Sequence, residues 1–204
     1  TLKNFALYLF CGLVVWNAFS AALDGPLGAF SDTGQLLTKV YFPPELPALA
    51  SVAGVAFQAA IEFGILVAFM LVVGNATWMM LLAPLVMLCA MGLGLGMGMA
   101  ASVWNTRFRD VGYLITLMLQ LMFYATPIVY RLDDINADVG PFTAQQILKL
   151  NPVTHYVQQM KLLMYEGQMP SVNSVAYGAA WAIGSVVFGW WYFSRTAPSV
   201  IEEL

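Results

Sequence analysis

A helical bundle that crosses a membrane is the fold class this sequence predicts, and three observations carry the prediction. Hydrophobic residues make up 60% of the chain and charged residues only 9%, against roughly 45–50% and about 25% in a soluble domain. Five apolar runs, Phe5 to Leu23, Ala48 to Val73, Trp78 to Val103, Val111 to Tyr130 and Ser174 to Phe193, hold one charged residue among them, Glu62. Each reaches the ~20 residues that a helix needs to cross a hydrocarbon core of ~30 Å, and none alternates over about ten residues as an outer-membrane strand would. The class is an all-α integral membrane protein with five spans in this stretch.

Composition also excludes functions. A slightly negative net charge of −3 lacks the basic face that nucleic-acid binding needs. Cys11 and Cys89 each lie inside an apolar run and read as small buried hydrophobes, not as a disulfide or metal pair. With one His in the chain, no metal-ligand cluster and no phosphate loop, the sequence offers no catalytic constellation and no metal site.

The first run carries a short polar-aromatic stripe, Trp16, Asn17, Ser20 and Asp24. The connection from Asp24 to Pro47 contains Gly25-Pro26 and then Pro43, Pro44 and Pro47. Within it Thr33 to Tyr41 predicts a short amphipathic helix with Leu36, Leu37 and Val40 on one face, stopped by the prolines and held at the membrane surface. In the second run a carboxylate at helix centre costs roughly 2.5–3.5 kcal/mol on insertion scales, so Glu62 must face protein or water. Ser51, Gln58 and Glu62 share one helix face. Two readings stand for it: a paired carboxylate joining two helices, or a polar path.

The third run contains Gly92, Gly94, Gly96 and Gly98, two interleaved small-xxx-small pairs that predict close helix packing. Arg107, Arg109 and Asp110 then form a tight charged cluster before the fourth run. The arginines serve either as plain anchors or in binding a partner or a diphosphate, and Asp110 suits the start of the next helix. Along the fourth run Tyr113, Thr116, Gln120, Tyr124 and Pro127 recur at three and four residues, so one face is polar and aromatic. Such a face suits sugars, which offer hydroxyls to hydrogen-bond and C–H surfaces to stack on rings, although the same side chains also join helices.

The segment Arg131 to Asn173 is too polar to span. It predicts two short interfacial helices separated at Asn151-Pro152, the second with Val153, Tyr156, Val157, Met160 and Met164 on its apolar face and Gln158, Gln159 and Lys161 off it. A lone His155 beside Tyr156 reads as structural, since no second ligand or relay accompanies it. The last run ends in Phe188, Trp190, Trp191, Tyr192 and Phe193 before Arg195, an interfacial belt and anchor. Basic residues divide evenly between the two sides, so charge counting gives no orientation.

Four motifs in order, Lys39-Val-Tyr-Phe-Pro43 with Leu46-Pro47, Asn105-Thr-Arg-Phe-Arg-Asp-Val111, Phe123-Tyr-Ala-Thr-Pro-Ile-Val-Tyr130 and Leu148-Lys-Leu-Asn-Pro152, resemble the permease subunit of type-2 ABC exporters that move lipid-linked polysaccharides. The resemblance covers nearly the whole chain. It implies a six-span family fold, with an amphipathic segment and one span before Thr1, so that the first span here is the family's second. It implies a cytoplasmic coupling and gate region at Lys39, Val40, Tyr41, Phe42, Pro43, Arg107, Arg109 and Asp110. It further implies a path past Trp16, Asn17, Gln58, Glu62, Tyr113, Thr116, Gln120 and Tyr124, and an extracytoplasmic gate at Asn151, Pro152, His155 and Tyr156. The partners implied are a second copy of the chain, two ATPase subunits that carry the ATP and magnesium, and a polyprenyl-diphosphate-linked polysaccharide, in a bacterial inner membrane. An exporter of a small lipid or drug, a non-transporting envelope scaffold and a passive channel are the competing readings.

Overall fold

The computed structural model describes residues 5–37, 45–75, 77–108, 110–131, 138–139 and 142–201. Seven α-helices are described: α1 Phe5–Leu37, α2 Glu45–Val73, α3 Ala83–Arg107, α4 Asp110–Ala125, α5 Ala144–Leu150, α6 Pro152–Lys161 and α7 Val172–Ile201. A 3-10 turn at Trp78–Leu82 leads into α3, and a π-helical turn at Leu162–Glu166 continues α6. A two-rung antiparallel ladder, Asp138 opposite Thr143 and Val139 opposite Phe142, precedes α5. The protein is an all-α membrane bundle in which four stretches, Phe5–Gly28, Leu49–Val73, Trp78–Arg107 and Val172–Thr196, are long and apolar enough to cross a bilayer.

Two elements differ from the sequence expectation. The first helix does not stop at Leu23; α1 runs through Gly25 and Pro26 to Leu37, so the first part of the expected loop is helical. Proline inside a membrane helix is tolerated when neighbouring elements support the freed backbone. Here Gly25 lies against α2, where an added Cβ would meet Ser51 Oγ at 2.9 Å. The expected surface helix at 33–41 is, for its first five residues, the end of α1, and residues 38–41 lie outside the described residues. The second difference is in the fourth apolar run, whose helix ends at Ala125, giving 16 residues or about 24 Å at the standard rise. Thr126 to Tyr130 continues as bent, non-helical chain. Pro127 supplies no amide hydrogen and disfavours the helical conformation of the residue before it.

At the centre stands α3, packed on α1 along one side and on α7 along the other. The alternating glycines make both contacts. A Cβ on Gly94 would run into the Phe19 carbonyl and one on Gly98 into the Leu23 carbonyl, both on α1. A Cβ on Gly96 would strike the Ser185 backbone on α7, and one on Gly189 of α7 would strike Gly96 in return. Ser185 Oγ donates to the Leu93 carbonyl at 3.0 Å across the same seam. Lipid tails are as apolar as the side chains, so helices here associate by close packing and interhelical hydrogen bonds, which small residues permit.

Gly94→Ala and Gly96→Ala should therefore each lower the melting temperature of detergent-solubilised protein, by an overpacking cost of about 1–3 kcal/mol. Gly64→Ala, with nothing within 4 Å of the added carbon, should leave it unchanged; equal melting of all three variants would refute the seam.

Candidate translocation face and its cap

Helix α4 is clipped at both ends and open along its length. At its start, Asn105 near the end of α3 accepts the Gly112 amide on its Oδ1 at 2.8 Å, and Asp110 opens the helix, where a carboxylate complements the dipole. Between the ends Leu119 is the one buried residue of α4. Tyr113 and Tyr124 are 69% and 70% exposed, and Thr116 and Gln120 are exposed with them. The polar-aromatic face is thus presented outward.

At the far end of α4 the broken strand of chain is buried, and its polar groups are satisfied from α6. Thr126, Pro127 and Ile128 are all buried. Lys161 Nζ donates to the Pro127 carbonyl at 2.6 Å and to the Ile128 carbonyl at 2.9 Å, and lies 3.8 Å from the centroid of the Tyr8 ring. Asn151 Nδ2 donates to Thr126 Oγ1 at 3.2 Å. Irregular backbone at membrane depth survives only where protein or water satisfies it; Lys161 supplies two of those bonds, and Asn151 ties the Thr126 side chain to α6.

Lys161 is 4% exposed and Gln159 is buried too, against the expectation that both lie off the packed face. The reason is geometric. The apolar stripe from Val153 to Met164 is buried as predicted, but α6 packs on both α1 and α7, so the buried arc exceeds the apolar one. At about 100° per residue Lys161 and Gln159 fall just outside the two edges of the stripe. A signal was present: a Thr-Pro break inside an apolar run leaves carbonyls that call for a donor. Gln159 Nε2 donates to the Ser174 carbonyl at 2.9 Å on α7.

The four residues assigned to the extracytoplasmic gate hold this cap together. Asn151 caps α6, its Oδ1 accepting the Val153 amide at 3.0 Å, and Pro152 follows in the first turn. His155 Nε2 lies 2.9 Å from the Lys149 carbonyl and Nδ1 lies 3.0 Å from Ser174 Oγ. A carbonyl only accepts, so Nε2 carries the hydrogen, and a neutral ring then accepts the serine hydroxyl at Nδ1. Tyr156 is fully buried, its hydroxyl donating to the Gly178 carbonyl at 2.7 Å. Asn75, after α2, donates to the Met164 and Tyr165 carbonyls and so closes the π-turn.

Among the residues that the resemblance assigns to a path, Asn17 Nδ2 and Gln58 Nε2 each donate to Glu62 at 3.2 Å, one to each carboxylate oxygen. The carboxylate thereby joins α1 to α2, while Asn17 and Gln58 themselves are exposed. Trp16 departs from the rest: its ring is buried against Phe19 and Phe123, with centroids at 5.7 and 5.5 Å, and belongs to the core between α1 and α4. At the other end of the bundle Arg107 is exposed and lines a cleft of about 100 Å³ with Trp104, Phe108, Tyr192 and Thr196. Lys39, Val40, Tyr41, Phe42, Pro43 and Arg109 lie outside the described residues.

A bundle with a glycine-packed centre and four stretches long and apolar enough to cross a bilayer defines a multi-pass membrane protein. The chain belongs to the ABC-2 type transporter family, whose pattern matches residues 2–165. It is 31% identical over 208 residues to the O-antigen export system permease protein RfbA of Myxococcus xanthus, an alignment covering 99% of this chain and 74% of that protein. Two O-antigen export system permease proteins RfbA of Klebsiella pneumoniae are each 26% identical, over 81% and 82% of this chain and 63% and 64% of their own length.

Burial pushes the Lys161 amine down to about 7, a shift that the neighbouring Cys11 thiol opposes and Arg131 reinforces. Between that value and the ordinary 10.5 the unfolded chain holds a proton that the folded chain has released, so this group stabilises the fold as pH rises through that window. The neutral amine still has two hydrogens for its two carbonyls. The melting temperature of the native protein should rise relative to Lys161→Met from about pH 6.5 to about pH 9. The variant itself should be destabilised at every pH by about 1–3 kcal/mol per orphaned carbonyl. A pH-independent difference would mean that Lys161 does not titrate there.

Proposed function

We propose that this chain is the membrane permease of an ATP-driven exporter that moves polyprenyl-diphosphate-linked polysaccharide across a bacterial inner membrane. It would work as a homodimer with two separate nucleotide-binding subunits. The observation that carries the proposal is the near full-length similarity to permeases named for O-antigen export. The geometry supports it: an outward polar-aromatic face on α4 offers a polymer both hydrogen bonds and ring surfaces.

The mechanism follows from how α4 is held. The Asn105 clip ties its start to the end of α3 beside Arg107, where the ATPase subunits would press. The Lys161 and Asn151 clips tie its far end to the cap. A push on the loop before Asp110 is therefore delivered along α4 to the opposite membrane surface, opening a route between two copies past Tyr113, Thr116, Gln120 and Tyr124. The stripe of Asn17, Gln58 and Glu62 would add polar lining from α1 and α2.

The deciding experiment reconstitutes this chain with its cognate ATPase in vesicles and follows a labelled polyprenyl-diphosphate glycan becoming protected from external lectin. Protection that needs both subunits and ATP is expected. Hydrolysis of ATP without protection, with native substrate supplied, would point to export of a small lipid instead. In the same vesicles Asn105→Ala should leave ATP hydrolysis intact and cut glycan movement by about 5-fold or more, the size of a lost coupling of 1–3 kcal/mol. Tyr113→Leu with Tyr124→Leu should cut movement by about 2- to 10-fold through lost stacking at unchanged melting temperature. Unchanged transport in that pair would remove α4 from the path.

A further inference from the structure

A second site lies outside the proposed path. A cleft of about 300 Å³ opens between the end of the α4 segment, the last turn of α5 and the π-turn, lined by Tyr8, Arg131, Lys149, Gln158, Lys161 and Glu166 among others. Two exposed cations, Arg131 and Lys149, face one carboxylate across it. Arg131, Lys149 and Glu166 are exposed at its rim, while Lys161 is buried at its floor. Among the described residues neither Arg131 nor Lys149 has a carboxylate partner; Arg131 lies 5.7 Å from the centroid of the Tyr8 ring. Asp133 and Asp134 follow in the sequence, outside the described residues.

We propose that this cleft binds the phosphate group of a membrane lipid. Its depth in the membrane argues for a lipid. Tyr8 stands near the start of the first span and Arg131 directly follows the fourth apolar run, so the cleft sits near the hydrocarbon boundary, close to the headgroup phosphates. Basic pockets between transmembrane helices take phosphate headgroups at the cytoplasmic surface, and the same pairing of cations with phosphate oxygens is available in the other leaflet. The chemistry of each group agrees. Arg131 presents a planar fork that pairs two oxygens of a phosphate, and Lys149 adds a mobile point charge. Gln158 contributes a neutral amide donor. Lys161 has given its hydrogens to two carbonyls at the floor and makes no direct bond to the anion. His155 fixes the Lys149 backbone through its carbonyl, which keeps that cation at the rim. Glu166 opposes the anion, and its removal should tighten binding.

The proposal does not depend on polymer export, because an ordinary anionic phospholipid satisfies the same chemistry as a polyprenyl diphosphate. Native mass spectrometry of the detergent-purified full chain, titrated separately with phosphatidylglycerol, undecaprenyl diphosphate, diacylglycerol and inorganic phosphate, tests it. Retention of either phosphate-bearing lipid well above diacylglycerol is expected. Arg131→Gln with Lys149→Gln, both exposed, should lose about tenfold in that retention with unchanged melting, and Glu166→Gln should gain. Preference for the diphosphate would identify the occupant as a carrier lipid, and preference for phosphatidylglycerol would identify it as a bulk lipid. Equal retention of diacylglycerol, retention unaffected by the double variant, or binding of inorganic phosphate with neither lipid retained would each overturn the assignment.

Discussion

Close packing through glycine is the constraint on which the rest of this structure depends. Inside a bilayer no hydrophobic force draws apolar helices together, so two helices stay together only where their backbones can approach. On α3 the even glycines alternate between two partners: Gly94 and Gly98 receive α1, and Gly96 receives α7 with Gly189 answering from the other side. One helix therefore holds the other two, and the three form one close-packed body. What remains outside that body, the outer face of α2 and nearly all of α4, is held by fewer and more polar links. A machine that must both stay folded and change shape in lipid needs this division.

The second constraint comes from the backbone itself. A span interrupted at Thr126-Pro127 has carbonyl groups with no helical partner, and the membrane offers none. Lys161 meets that need from α6 at the Pro127 and Ile128 carbonyls, and Asn151 adds a bond to the Thr126 hydroxyl, which together hold α6 against the bundle. The break in α4 thus accounts for the buried position of Lys161, beside the apolar stripe that buries the rest of α6. Tyr156 and Gln159 then fasten the same short helix to α7, so the cap joins the loosely packed helix to the rigid body. Any opening at this end must disturb either the lysine bonds or the α6–α7 bonds, and the first set serves a segment already free of helical hydrogen bonding.

Which parts could be read from residues alone follows from the same physics. The four long spans were legible because length and apolarity are one-dimensional properties, and the alternating glycines announced close packing because the spacing itself sorts them onto two faces. The extension of α1 through Pro26 was not legible: Gly25-Pro26 is a breaker in water, and the glycine serves here as the point where α2 comes close at Ser51. Lys161 was misplaced because periodicity predicts an apolar arc, whereas the buried arc is set by how many neighbours a helix has. Trp16 was misread for a related reason. Its position beside Asn17 suggested a shared polar face, but neighbours in sequence point about 100° apart on a helix, and the ring turned inward to Phe123.

Glu62 shows how far the two readings of a membrane carboxylate can be separated. Its two oxygens accept from Asn17 and Gln58, one donor from each helix, so it does join α1 to α2. Yet two neutral amide bonds leave the exposed side of all three groups without compensation, and a charged or polar group turned to acyl chains carries a cost of a few kcal/mol. A face with three such groups in contact is stable only if something polar covers it: water, a second protein surface or a hydrated substrate. Helix joining accounts for where Glu62 points, and only a polar environment accounts for why Asn17 and Gln58 remain exposed around it. The two roles are therefore compatible, and the stripe is a side of the bundle on which contact with acyl chains would be costly.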